Sequence, residues 1–234
     1  MMRFLHQQKK NWHLLVLFFG LATTTYSQQE LKFTPTFNGN SYQLGTQAII
    51  KKDTLTIDVL KFYISDIKLL NDSIELYSSK ESYYLLNLEK PSSMNISLNI
   101  DSSINFNEIQ FCIGVDSLKN VSGASGGALD PANGMYWTWN SGYINFKMEG
   151  TSTLSNARKN AFQFHLGGYA YPYNSLRFVQ FPFHSLESCS IELKLEALLS
   201  KIELSEINTV MSPNNKSIAL TNLLPIIFSP LEKN

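Results

Sequence analysis

Residues 111–150 read FCIGVDSLKNVSGASGGALDPANGMYWTWNSGYINFKMEG, two alternating apolar runs separated by a long segment rich in Gly, Ser and Asn. At the near side Ile109, Phe111, Ile113 and Val115 alternate with Gln110, Cys112 and Gly114; at the far side Ile144, Phe146 and Met148 alternate with Asn145 and Lys147. A period of two sends successive side chains to opposite faces of an extended chain, so both runs are half-buried strands. The pattern recurs at Leu55, Ile57 and Val59, at Phe162, Phe164 and Leu166, and at Cys189, Ile191, Leu193 and Leu195. Turn pairs such as Asp130-Pro131 and Asn133-Gly134 punctuate these runs, and no long helical crossover separates successive strands. The expected fold is all-β: an antiparallel β-sandwich with a long Gly/Ser loop and a short C-terminal helical segment. The spacing of Leu198, Leu199, Ile202, Ile207 and Val210 predicts one amphipathic helix over 198–210, and 220–228 reads as a docked terminal segment broken at Pro225.

Outward from that stretch, the chain has 234 residues, 44% hydrophobic and 16% charged, enough apolar side chain for a sizeable core. Lys+Arg and Asp+Glu balance at 19 each, which excludes the broad electropositive footprint that a nucleic-acid partner requires. Arg3, Lys9 and Lys10 precede the apolar run Leu14–Ala22 and the small residues Thr25 and Ser27. That order reads as a secretory signal over 1–27, cleaved near Ser27, leaving 28–234 as a single domain. The apolar run is shorter than the roughly 20 residues that span a bilayer, so the protein is expected not to be membrane-embedded and to be periplasmic or secreted. Removing 1–27 takes three cations and no anions, leaving 16 − 19 = −3. His165, His184, Trp137 and Trp139 are then the remaining residues of their types, and Cys112 and Cys189 either form a bridge or stay buried thiols.

Chemistry-bearing residues cluster near the exit of the Gly/Ser segment. Trp137 and Trp139 lie two apart, so on an extended chain they share a face roughly 6 to 7 Å apart, where they either frame a site or anchor packing. Met135 shares that face if the strand begins early; its thioether is a soft donor suited to Cu(I), although an isolated Met is more often a core filler. In Phe162–Gly168 the apolar residues take one face and leave Gln163 and His165 on the other, with a Gly pair beside the imidazole. His184 alternates with Phe181 and Phe183 and reaches the same place only through the fold. Gly123-Ala124-Ser125-Gly126-Gly127 matches the G-x-S-x-G pattern of hydrolases, but Gly126, Gly127 and Asp130-Pro131 block the helix that this geometry needs. Asp116, Asp130 and Asn133 lack the spacing of a known Ca²⁺ loop and read as turn caps. With no nucleophile beside a credible base and no phosphate cradle, the chain is not expected to be an enzyme.

The sequence resembles the MbnP-like family of secreted copper-binding proteins, associated in some bacteria with methanobactin operons and related to surface copper-binding proteins of methanotrophs. The resemblance rests on Ile113–Ser117, Ala128–Pro131, Gly134–Tyr143, Lys147–Gly150 and Phe164–Gly167, with Leu60–Ile67 resembling the family's first core strands. The run Met135-Tyr136-Trp137-Thr138-Trp139-Asn140-Ser141-Gly142-Tyr143 is its most specific part. The resemblance implies a β-sandwich that binds copper, Cu(I) or Cu(II), through imidazoles and a tryptophan oxidised to kynurenine by a dihaem cytochrome-c-type peroxidase partner. It points to His165 as a ligand and to Trp137 or Trp139 as the modified residue. Only His184 remains to supply a second imidazole, with Met135 as a thioether alternative; a His184 distant from His165 rules out a two-imidazole site and weakens copper affinity. The competing reading is a non-catalytic cell-envelope interaction module that keeps the scaffold without a copper site.

Overall fold

The computed structural model describes residues 26–101, 104–187 and 189–232. Nearly all of the leader read from the sequence lies outside them; the backbone of Tyr26 and Ser27 opens the first strand, opposite Asp101 and Ile100. In chain order the strands are β1 (Tyr26–Phe37), β2 (Asn40–Ser41), β3 (Ala48–Ile50), β4 (Asp53–Asn71), β5 (Ile74–Ser78), β6 (Tyr83–Asn87), β7 (Asn95–Asp101) and β8 (Glu108–Ile113). Helix α1 (Ser117–Val121) follows, then β9 (Tyr136–Trp137), β10 (Gly142–Ser152), β11 (Ala161–Gly167), β12 (Arg177–Pro182) and β13 (Cys189–Lys194). The chain then runs through α2 (Leu195–Leu199), β14 (Thr209–Val210), α3 (Asn215–Thr221) and β15 (Phe228–Glu232).

Two sheets pack face to face. The smaller runs β15-β13-β1-β2 with β7 also on β1; the larger is built on β4. Pairing is antiparallel as the turn chemistry predicts, except that β1 runs parallel to β13 and β11 parallel to β14. Between the sheets, Phe33, Phe62, Phe111 and Phe228 meet edge to face, with centroids 6.0 Å apart for Phe33–Phe111 and 5.3 Å for Phe111–Phe228. Each ring comes from a different strand, so burial of these aromatics ties β1, β4, β8 and β15 into one core.

Strand β4 is the spine. Lys61 and Phe62 pair with both β6 and β10, and Ile64 and Ser65 with both β6 and β8. So β10 and β8 share one edge of β4, end to end, and β6 takes the other. Where they meet, Gly114 has φ +115°, and a Cβ there would stand 2.5 Å from the Asn145 side chain. The buried Asn145 amide accepts from Val115 N–H at 3.0 Å and donates to Ser175 Oγ at 2.8 Å. Only glycine gives both the backbone conformation and the space.

The chain leaving this junction turns back over the outer face of the large sheet. Asp116 caps α1 by accepting from Lys119 N–H, and Asp130 accepts from Ala132 N–H, so both act as caps. The hydroxyl of Tyr63 donates to Ala128 C=O at 3.1 Å. The Tyr143 hydroxyl accepts from Ser125 N–H at 3.0 Å. The Gly/Ser segment is therefore a lid fastened to the sheet, and beneath it Tyr63, Val115, Leu129, Met135, Trp137, Tyr143 and Ile144 form a second, small core. Adjacent residues Phe62 and Tyr63 fill different cores, so at this point β4 is buried on both faces.

The expectation of one helix over 198–210 is corrected. Helix α2 stops at Leu199, and Val210 lies in β14, whose neighbour Asn208 accepts from Gln163 N–H at 2.7 Å. The open edge of β11 offers that stretch backbone partners, and a strand pairing displaces the helical alternative. Over 220–228 the chain leaves α3, makes a short 3₁₀ turn at Leu224–Ile227 across Pro225, and continues into β15. Cys112 and Cys189 are not bridged; they belong to β8 and β13, in different sheets.

Asn145→Ala is expected to lower the unfolding free energy by about 1–3 kcal/mol, because the buried Val115 N–H loses its acceptor. Gly114→Ala is expected to cost at least roughly 2 kcal/mol through backbone strain and the displaced amide. Urea unfolding of both variants, with unchanged midpoints as the contrary result, decides whether this junction bears on stability.

Candidate metal centre

Alternation along β10 sends Phe146 and Met148 into the sandwich core and Lys147 and Glu149 to the outer face. His165 stands opposite Lys147 in the β10–β11 ladder, with Glu149 on the diagonal, within the reach of long cross-strand side chains. Its Nε2 lies 2.7 Å from Glu149 Oε1, and Lys147 Nζ lies 3.3 Å from the same oxygen. His165 is only 7% exposed.

Burial pushes the His165 pKa below its usual value and Lys147 adds to that push, while the bond to Glu149 opposes it. Burial alone would raise the Glu149 carboxyl, but the His165 hydrogen bond and the Lys147 charge outweigh it and hold the group below the usual carboxylate range. The pair is thus a neutral imidazole beside a carboxylate. Since a carboxylate only accepts, Nε2 carries the proton, and Nδ1 keeps its lone pair with no hydrogen-bond partner among the described residues. A carboxylate that fixes the tautomer while the other nitrogen stays open is the arrangement of a metal-ligating histidine.

Gly167 follows two residues after His165 on the same face of β11. A Cβ there would be 2.8 Å from Trp137 Cζ3, so the indole abuts this glycine, one strand repeat, roughly 6 to 7 Å, from His165. Trp137 is buried, and Trp139 is 65% exposed with its ring 5.6 Å from that of Trp137. Trp139 also borders a cleft of about 300 Å³ with Tyr169, Tyr171 and Pro213. Met135 is fully buried in the small core with Trp137.

His184 does not join them. His165 is level with Lys61 of β4 through Lys147, whereas Pro182, just before His184, is level with Leu70 through Glu108. Between Lys61 and Leu70 the strand rises roughly 30 Å at about 3.3 Å per residue, and even a right-angle bend at Asp66 leaves about 20 Å. Two nitrogens each about 2 Å from one ion cannot be that far apart, so a ligand set of His165 with His184 is ruled out. His184 instead lies beside Cys189 and Glu232.

Four of the five residues singled out in the sequence gather on the outer face of the large sheet: His165, Trp137, Trp139 and Met135. Missed there was Glu149, although the alternation that buries Met148 places it on the histidine's face. For copper the fit is partial: one oriented imidazole nitrogen and, in the adjoining core, one thioether, both acceptable to Cu(I). Glu149 is engaged with His165 and Lys147.

The chain is a two-sheet sandwich whose lidded outer face carries a carboxylate-oriented histidine beside a tryptophan pair. The chain belongs to the MbnP family, whose model matches residues 26–212. Its fold is that of MbnP from Methylosinus trichosporium, with a TM-score of 0.62 at 11% identity over 90% of this chain and 100% of that one. No curated protein matches the chain. None of the described helices is long and apolar enough to cross a membrane.

The neutral, buried imidazole has a direct signature. By NMR, His165 is expected to titrate below 6.5. The sign follows: below about pH 6.5 the unfolded chain takes up the proton that the folded site refuses, so this contribution to stability is full above that pH and declines as pH falls. A His165 signal titrating at or above 6.5 contradicts the assignment.

Proposed function

We propose that this protein is a periplasmic or secreted copper-binding protein, a metal carrier or acquisition module and not a catalyst, with its site built on His165. The observation that carries this reading is the open Nδ1 of an imidazole whose Nε2–H is held by Glu149, one strand repeat from Trp137. Membership of the MbnP family supports it. With His184 excluded, the unmodified chain offers a single imidazole, which favours Cu(I) in low coordination and weak retention. Oxidation of Trp137 to kynurenine by a dihaem peroxidase partner would add an aryl amine and a carbonyl on the side of the imidazole, and Trp137 suits that role better than Trp139 because its ring lies against Gly167 of the histidine's own strand.

Protein purified from its native host is expected to show a gain of about 4 Da for kynurenine, or about 32 Da for N-formylkynurenine, on Trp137, in keeping with stepwise oxidation of side chains. Competition with a chromophoric Cu(I) chelator should give tighter binding for the modified chain than for unmodified protein, and at least about tenfold weaker binding for His165→Ala. Equal affinity of His165→Ala and wild type removes the copper site. Unmodified tryptophan in the native host removes the peroxidase coupling.

A second reading draws on the cleft at Trp139. Tyr171 is 96% exposed beside it, and such an aromatic surface suits a cell-envelope module that binds a polymer or another protein. Wild-type protein without measurable copper affinity even when modified, together with loss of cell-envelope retention in Trp139→Ala, favours this reading over the first.

A further inference from the structure

The end of the molecule remote from His165 carries a second set of metal-ligating atoms. Cys189 opens β13 and faces Glu232 directly across the β13–β15 ladder, so the two side chains share a face. His184 arrives from the turn after β12, anchored by the neighbouring Phe183, which is fully buried and stacks on Phe106 at 6.3 Å. The three donor atoms form a near-equilateral triangle: His184 Nε2 to Cys189 Sγ is 3.7 Å, Cys189 Sγ to Glu232 Oε1 is 3.4 Å, and His184 Nε2 to Glu232 Oε1 is 3.6 Å.

Those lengths decide what the triangle fits. Around a tetrahedral Zn²⁺, bonds of about 2.3 Å to sulfur and about 2.0–2.1 Å to nitrogen and oxygen give ligand–ligand edges of about 3.3–3.6 Å. The observed edges, which are also the lengths of two hydrogen-bond contacts to sulfur and of an ion pair, are close to that face. We propose that His184, Cys189 and Glu232 form a three-ligand site for a zinc-type divalent cation, with the fourth position open to water. A mixed imidazole, thiolate and carboxylate set suits Zn²⁺, whereas a carboxylate is a poor partner for Cu(I). The His184 and Glu232 side chains are 63% and 65% exposed, which gives the ion a path from solvent, and Cys189 supplies the buried floor. Binding exchanges the thiol proton for the metal and releases that proton to water, with no change of oxidation state. The other thiol, Cys112, is buried in β8 of the other sheet, where burial pushes it up to about 12.

This site is independent of the copper reading, and its test keeps the two apart. Co²⁺ added to the full chain with its thiols reduced should give a thiolate-to-cobalt charge-transfer band at one equivalent, and Zn²⁺ should abolish it. Cys189→Ser should lose the band. His184→Ala and Glu232→Gln, both at exposed side chains where folding is little disturbed, should weaken Zn²⁺ binding by at least the roughly 10–100-fold that loss of an outer hydrogen-bond partner costs a metal site. His165→Ala should leave Zn²⁺ affinity unchanged. Absence of the band in wild type, its survival in Cys189→Ser, or Zn²⁺ affinity unmoved by both exposed-site variants overturns the site.

Discussion

Asn145 closes the seam between two strands that are otherwise joined only through their common neighbour β4. Strands β8 and β10 abut along one edge of β4, and a buried amide bridges the seam, taking the first N–H of the departing lid and giving its own N–H to the turn before β12. Glycine at position 114 is what lets the amide enter. From this seam the chain rises over the outer face, which is why β4 carries buried residues on both faces at Phe62–Ile64 and why a histidine on the outer face of the large sheet ends up buried. An unpaired amide here would cost more than several surface hydrogen bonds return.

Much of the fold was legible because period-two alternation records which face of a strand is dry. Phe162, Phe164 and Leu166 against Gln163 and His165 placed the imidazole on the correct side, and the W-x-W spacing placed two indoles together. What alternation cannot record is what lies over the other face. Composition marks a long Gly/Ser loop, but not that the hydroxyls of Tyr63 and Tyr143 fasten it down.

Register was the other hidden quantity. Whether Glu149 or Lys147 meets His165 depends on how β10 slides along β11, and a slip of one residue reverses both faces. His184 shows the same limit at longer range. Its alternation with Phe181 and Phe183 continues a strand faithfully, but that strand runs away from the seam, so two histidines close in sequence are carried to different ends of the molecule. The failed helix over 198–210 has a related cause: Val210 fits a helical stripe equally well until the bare edge of β11 offers it a ladder.

That two-residue ladder has an effect beyond local structure. An outermost strand with a free row of amides is a template on which a second molecule can extend the sheet, and growth of that kind leads to aggregation. The pairing of Thr209 and Val210 covers Gln163 and Phe164 in the middle of β11, leaving bare stretches too short to recruit another chain. The smallest parallel contact in the structure thus serves colloidal stability, guarding the flank on which the histidine is carried.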